Sequence, residues 1–286
     1  MRSRIDPAAA YPLDVASVSF DRTPIRSAAH SIAKHIRAVR RGRAPEVVLV
    51  EGDRLVDDAL GSGFVPEIAL VAEEHEGRAE DLATRGVPVR LASAELVSSL
   101  SALATSPGSL ALFAAPRARS LDELEPGSEA LVAVVCGVQD PGNLGAIART
   151  AEAAGAVGLV IVAGGCRPWN DKALRGSMGS LLRLPVWEVS TGIDAWRGLR
   201  GRGFRHVVAA TRGGCAPGEL DWSGPVALWV PSETGGLPAD VETARASEPG
   251  DDLAVTIPMA GAVESLNVSV ATGVLLFAAG RTEDRR

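Results

Sequence analysis

Val255–Thr256–Ile257–Pro258–Met259–Ala260–Gly261–Ala262–Val263–Glu264–Ser265–Leu266–Asn267–Val268–Ser269–Val270–Ala271 is the stretch that decides how this chain is read. A short apolar run stops at a proline, small residues follow, and a second apolar segment continues to Phe277. That order predicts a strand, a tight loop and a helix, with Glu264, Ser265 and Asn267 at the loop-to-helix junction. Main-chain N–H groups at such a junction lack helical partners. Ser265 or Asn267 either caps them or leaves them to a ligand.

Two other segments of the same half share this build. Leu131–Val135 is continuously apolar and leads into Asp140–Pro141–Gly142–Asn143–Leu144–Gly145, with a helix expected from about Ala146 to Ala154. Ala227–Val230 leads into Pro231–Ser232–Glu233–Thr234–Gly235–Gly236–Leu237. Leu159–Val162, Val207–Ala210 and Ala254–Ile257 are further strands, and Asn267–Ala279 is the last helix. Strands that are apolar throughout belong to a parallel sheet covered on both faces. An open doubly wound sheet follows, and its ligand sites lie beyond the strands' carboxyl ends. Neither GxGxxG nor GxxxxGK[ST] occurs, so dinucleotide and P-loop chemistry are excluded. Taken alone, Gly142–Asn143–Leu144–Gly145 is equally a plain strand-to-helix turn.

Outward from this half, residues 1–24 carry three prolines and read as a loosely ordered arm. A helix is expected over Ile25–Arg41. Strands at Val47–Val50, Ile68–Val71, Val87–Leu91 and Leu110–Ala115 alternate with helices at Asp53–Leu60, Glu76–Arg85 and Ala94–Ala102. This alternation indicates a small α/β/α sandwich over residues 25–116. Residues 117–128 hold prolines and charges without an apolar period and read as a linker, leaving 129–286 as the second domain.

A length of 286 residues suits two domains, and 46% hydrophobic with 22% charged residues is an ordinary globular composition. Cys136, Cys166 and Cys215 are odd in number and lack CxxC spacing, so no disulfide framework or cysteine zinc site is indicated. No signal-peptide core or membrane-length apolar run occurs, and a cytoplasmic setting is expected. The net charge of −6 is unevenly spread. Residues 1–45 hold nine bases against three acids, a local +6, and the remaining 20 bases and 32 acids give −12. Lys34, Arg37 and Arg41 follow i, i+3, i+7 spacing on one helix side, where they either neutralise RNA phosphates or face solvent. None of His30, His35, His75 and His206 has metal-ligand spacing, and no metal is expected. The tryptophans are core or interface residues, with Trp169 also placed to stack on a base.

Asp140–Pro141–Gly142–Asn143–Leu144–Gly145–Ala146–Ile147–Ala148–Arg149–Thr150–Ala151 resembles the first motif of the SpoU family of RNA 2′-O-ribose methyltransferases. Ser232–Leu237 resembles the second, and Ile257–Pro258–Met259 through Ser265–Ala271 the third. Arg175–Gly176–Ser177–Met178–Gly179 with Leu184–Pro185–Val186 is similar to the family's intermediate segment. Val50–Val56 resembles part of the RNA substrate-binding domain that precedes the catalytic domain in many members. The resemblance implies a SPOUT-like α/β domain whose C-terminal segment threads a trefoil knot, a topology that composition does not reveal. It also implies S-adenosyl-L-methionine as cofactor, rRNA or tRNA as substrate, and a homodimer in which both subunits complete each site.

The cofactor contacts carried over fall at Pro231, Gly236, Ile257 and Leu266. Pro231 stands where the family usually has glycine, so that position cannot donate a main-chain hydrogen bond. Arg149 matches the arginine to which the family assigns activation of the ribose hydroxyl. A guanidinium keeps its protons, which points instead to binding a phosphate or the developing alkoxide. Asn143 is expected to position the ribose or Arg149, with Ser265 and Asn267 orienting these groups. Glu233 pairs with Arg149 or shapes the cofactor loop, and Arg175 is expected to contact RNA. Two rival readings share the fold: a catalytically impaired RNA-binding or ribosome-assembly protein, and a methyltransferase acting on another atom.

Overall fold

The computed structural model describes residues 21–104, 108–117, 119–232, 235–248, 250 and 252–280. They form two compact units, the first reaching Pro116 and including 169–171, the second comprising Arg117–Pro168 and the chain from Lys172 onward. In the first unit a four-stranded sheet is built from β1 (Val47–Glu51), β2 (Pro66–Ala72), β3 (Val89–Ala92) and β4 (Ser109–Ala114), in the order β1-β4-β2-β3. β2 and β3 run parallel and the other pairs antiparallel. The helices are α1 (Ser31–Arg40), α2 (Asp53–Gly61), α3 (Glu76–Thr84) and α4 (Ala94–Leu100). Leu49, Leu70, Leu110 and Leu112 of the sheet pack with Ile36 of α1 and Leu96 and Leu100 of α4.

The first helix begins at Ser31 rather than Ile25, because Ile25 serves the sheet instead. Its N–H bonds to Leu91 O at 2.9 Å and its carbonyl accepts from Ser93 N–H at 2.9 Å. Two cations counted in the basic arm are consumed locally. Arg22 pairs with Glu76 and Glu80, and Arg26 with Glu73. Glu51, only 3% exposed, ends β1 by accepting from Ser101 Oγ (2.8 Å) and Ala102 N–H (3.1 Å) and pairing with Arg40. Trp169 meets Phe64 edge-on with centroids 5.9 Å apart.

The second unit holds six parallel strands in the order β10-β8-β9-β5-β6-β7. They are β5 (Leu131–Cys136), β6 (Gly158–Val162), β7 (Val186–Val189), β8 (Arg205–Ala209), β9 (Val226–Val230) and β10 (Leu253–Val255). The helices are α5 (Pro141–Ala153), α6 (Asp171–Gly176), α7 (Ser180–Arg183), α8 (Gly192–Arg200), α9 (Ala239–Ser247) and α10 (Val268–Ala278). β5 and β9 are buried at every residue, as central strands covered on both faces must be. The sequence reading missed β7, α8 and α9; β7 and α9 are short with few apolar residues, while α8 carries a legible helical period in Ile193, Trp196 and Leu199.

Trp196, His206 and Trp229 fill the core of this unit. The Trp196 and His206 rings stack at 4.0 Å, and Trp229 Nε1–H donates to His206 Nδ1 at 2.7 Å. Burial, reinforced by the positive charge of Arg200 and opposed by Asp252, lowers the His206 pKa from 6.5 to about 4. The folded chain therefore holds a neutral imidazole that the unfolded chain protonates below about pH 6.5. Its stabilising contribution is complete above that pH and is lost as the pH falls toward 4. At pH 5 the loss is about 2 kcal/mol. Thermal melts should show His206→Gln losing less stability than the unsubstituted protein between pH 7.5 and pH 5. Parallel losses would mean that His206 does not carry the effect.

Candidate functional site

All six strands of the second sheet point the same way, so their carboxyl ends share one edge, where such sheets bind ligands. Beyond β5, Asp140 caps α5. Its Oδ1 accepts from Gly142 N–H at 2.5 Å and Asn143 N–H at 3.3 Å, and Pro141 occupies the first helical position. The helix therefore starts five residues earlier than the expected Ala146, and Asn143 lies in its first turn. Lys172 Nζ lies 3.1 Å from Asp140 Oδ2. Lys172 and the capping N–H donors hold the Asp140 carboxyl below its usual range.

Asn143 meets its sequence-distant partner directly. Asn267 Nδ2 donates to Asn143 Oδ1 at 3.1 Å, while Asn267 Oδ1 caps α10 by accepting from Ser269 N–H at 2.9 Å. One side chain thus ends the segment beyond β10 and joins it to the head of α5. Seven residues after Asn143, on the same face of α5, Thr150 lies against Gly273 of α10. A Cβ on Gly273 would lie 3.2 Å from the Thr150 methyl, so a small residue keeps the helices close. On its other side α5 meets α6 at Gly145, where a Cβ would come within 2.6 Å of Ala173 O and 2.7 Å of Ser177 N. No other residue type fits there.

Arg149 is one residue before Thr150 and so turns about 100° away from the α10-facing stripe. It is exposed, and the structure does not join it to the Asn143–Asn267 pair. Ser265 is exposed and makes no hydrogen bond among the described residues. Beyond β9, Ser232 N–H donates to Gly236 O at 3.2 Å, closing a turn in which Gly236 adopts φ 70° and Pro231 is half-buried. Glu233 lies outside the described residues. Arg175 occupies the last turn of α6. On α1, Lys34 is exposed, Arg37 donates to Ala28 O at 2.6 Å, and Arg41 caps the helix end in solvent.

A hollow of about 390 Å³ opens between Thr211 and Arg212, beyond β8, and the segment beyond β10 from Thr256 to Glu264. Ile257 lines it. Pro231, Gly236 and Leu266 do not. From Ile257 to Leu266 the chain forms neither helix nor strand and makes no main-chain hydrogen bond among the described residues. Its donors and acceptors are left to solvent or a ligand. Apolar walls and free main-chain groups suit a planar heterocycle with a polar edge. Thr211 and Arg212 escaped the sequence reading, although they directly follow the recognised strand Val207–Ala210 and the strand-end rule reaches them. Lys172 gives no such signal.

A sequence profile described as the SpoU rRNA Methylase family matches residues 130–277, just over half the chain. The chain belongs to that family. An uncharacterized tRNA/rRNA methyltransferase of Synechocystis is 30% identical over 285 residues, covering 96% of this chain and 97% of the relative. The 23S rRNA (guanosine-2′-O-)-methyltransferase RlmB of Xanthomonas axonopodis is 34% identical over 207 residues, covering 71% and 81%. Among solved structures, the AdoMet-bound rRNA methyltransferase from Sinorhizobium meliloti superposes with a TM-score of 0.79 at 30% identity, covering 90% of this chain and 97% of that one. The α/β class expected for the chain, with the parallel C-terminal sheet read from its apolar strands, is the one observed.

Asn267 performs two separable tasks, and substitution should split them. Asn267→Asp keeps a capping acceptor at the head of α10 but cannot donate to Asn143. Asn267→Ala removes both. Chemical denaturation should place the alanine variant about 1 kcal/mol below the unsubstituted protein and the aspartate variant near it. Methyl transfer should fall in both. An active aspartate variant would mean the Asn267 amide donor is dispensable.

Proposed function

We propose that this protein transfers a methyl group from S-adenosyl-L-methionine to a ribose 2′-OH of ribosomal or transfer RNA. The observation carrying this reading is the Asn267–Asn143 hydrogen bond, which unites the first and third SpoU motifs. Ile257 and its unpaired neighbours would hold the cofactor through main-chain groups, with the loop at Pro231–Gly236 and Leu266 closing around it. The cofactor supplies an electrophilic methyl on a sulfonium. The chain's own work is then to orient the ribose and stabilise the oxygen as it loses its proton.

In this reading Asn143, fixed by Asn267, orients the ribose. Arg149 meets the target phosphate or the developing alkoxide as a permanent cation. Ser265 and Glu233 complete the polar surround, and Arg175 contacts RNA. Lys34, Arg37 and Arg41 extend the RNA contact onto the first unit, which serves as the substrate-binding domain. The C-terminal segment is threaded as the family's trefoil knot, and the protein works in the cytoplasm, where rRNA and tRNA mature. Pro231 favours the second reading, a catalytically impaired RNA binder, because the position has no N–H to offer.

The protein also acts as a homodimer. Val270, Val274 and Phe277 repeat at i, i+4 and i+7 along α10 and are 52%, 43% and 53% exposed. Together they form an apolar stripe on a helix whose opposite side, Leu275 and Leu276, is already buried. A second copy of the same helix covers such a stripe with two-fold symmetry.

Two measurements test these readings. Total RNA incubated with protein and labelled S-adenosyl-L-methionine should acquire 2′-O-methyl nucleotides after nuclease digestion. Arg149→Ala should lower the rate at least a hundredfold, and label on a base nitrogen or none at all would refute the assignment. Sedimentation should give a dimer for the unsubstituted protein and a monomer for Val274→Glu/Phe277→Glu. A dimer that survives the double substitution would place the interface elsewhere.

A further inference from the structure

Among the described residues, two charged side chains line the hollow beyond β8 and β10, and they carry opposite signs. Arg212 Nη2 lies 3.6 Å from Glu264 Oε1, with the side chains 81% and 83% exposed. Ion pairs this open to water hold weakly and yield readily to a competing charge. The remaining lining is small or aliphatic, including Ile257, Pro258, Met259 and Val263. A ligand matching this lining has an apolar body for the inner walls and a zwitterion for the wet rim. The family cofactor has that form, with adenosine at one end and an α-amino acid at the other.

We propose that Arg212 and Glu264 recognise the amino-acid end of the cofactor, the guanidinium taking its α-carboxylate and the Glu264 carboxylate its α-ammonium. This rests on the reading of the hollow as the cofactor site. Each side chain exchanges one opposite charge for another, so no charge is left unpaired when the ligand enters. The exposed position of the pair lets the charged end of the ligand stay hydrated. A guanidinium also presents two parallel N–H donors, the geometry a carboxylate accepts best. The pair discriminates as well: adenosine compounds lacking the amino-acid end leave Arg212 and Glu264 bound to each other.

Calorimetric titration with two methyl-inert probes tests this. S-Adenosylhomocysteine carries the amino-acid end and 5′-methylthioadenosine lacks it. Arg212→Ala and Glu264→Ala should each weaken S-adenosylhomocysteine binding about tenfold and leave 5′-methylthioadenosine unchanged. Arg212→Lys should recover part of the loss. Unchanged S-adenosylhomocysteine affinity in both alanine variants would overturn the proposal. Equal weakening of both probes would also overturn it, since the pair would then only hold the two loops together. If the unsubstituted protein binds neither probe, the cofactor reading of the hollow fails and takes the proposal with it. That result is visible before any variant is made.

Discussion

In the second unit one side-chain bond joins residues 124 positions apart, Asn267 to Asn143, and fixes the edge where the site lies. The bond brings the last helix back to the head of the first helix of its unit. Everything around it is arranged so that the two helices can come that close. Gly273 admits Thr150 on one flank of α5, and Gly145 admits the main chain of α6 on the other. An asparagine suits the junction because its carbonyl oxygen caps one helix while its amide donates to the other. Aspartate, an acceptor only, performs the first task and cannot donate.

Charge is handled differently in the two units. In the first, much of the basic character evident in composition is neutralised at short range. Arg22 and Arg26 hold the chain before α1 against α3 and the turn preceding it, and Arg40 satisfies a buried carboxylate at the end of β1. The basic residues that remain exposed along α1 and at its C-cap are Lys34 and Arg41. In the second unit the charges near the strand ends are sparse: Lys172 with Asp140 at the head of α5, and Arg212 with Glu264 at the rim of the hollow. Exposed pairs add little to stability. Their placement matters more for what approaches that edge.

Much of this was legible in the sequence because the strands of a sheet covered on both faces are apolar without interruption, as Leu131–Val135 is. Strand-end loops rich in small residues marked the edge where the site lies. What the sequence hid has physical causes. The early start of α5 is set by capping from Asp140 and by proline's fixed φ, neither of which appears in a hydrophobic period. Val186–Val189 is an edge strand of four residues with Glu188 exposed, too short to alternate. The shared bond of Asn143 and Asn267 is a tertiary fact, and no spacing rule reaches across 124 residues. Arg149 shows the converse. Its place in a motif suggested company, while helix geometry turns it away from the asparagine pair.

The unpaired main chain from Ile257 to Leu266 has a consequence for how this protein can change over time. Because that segment makes no main-chain hydrogen bond among the described residues, it is held by neither ladder nor helix. A ligand gripped through peptide groups sees the shape of the backbone more than the identity of what hangs from it. Substitution at Ala260, Ala262 or Val263 is then tolerated so long as the turn survives, whereas Thr256, whose Oγ1 accepts from Gly214 N–H, and Asn267, whose Oδ1 caps α10, anchor its two ends. Such a cradle can keep one cofactor through its backbone while the small apolar side chains along it vary.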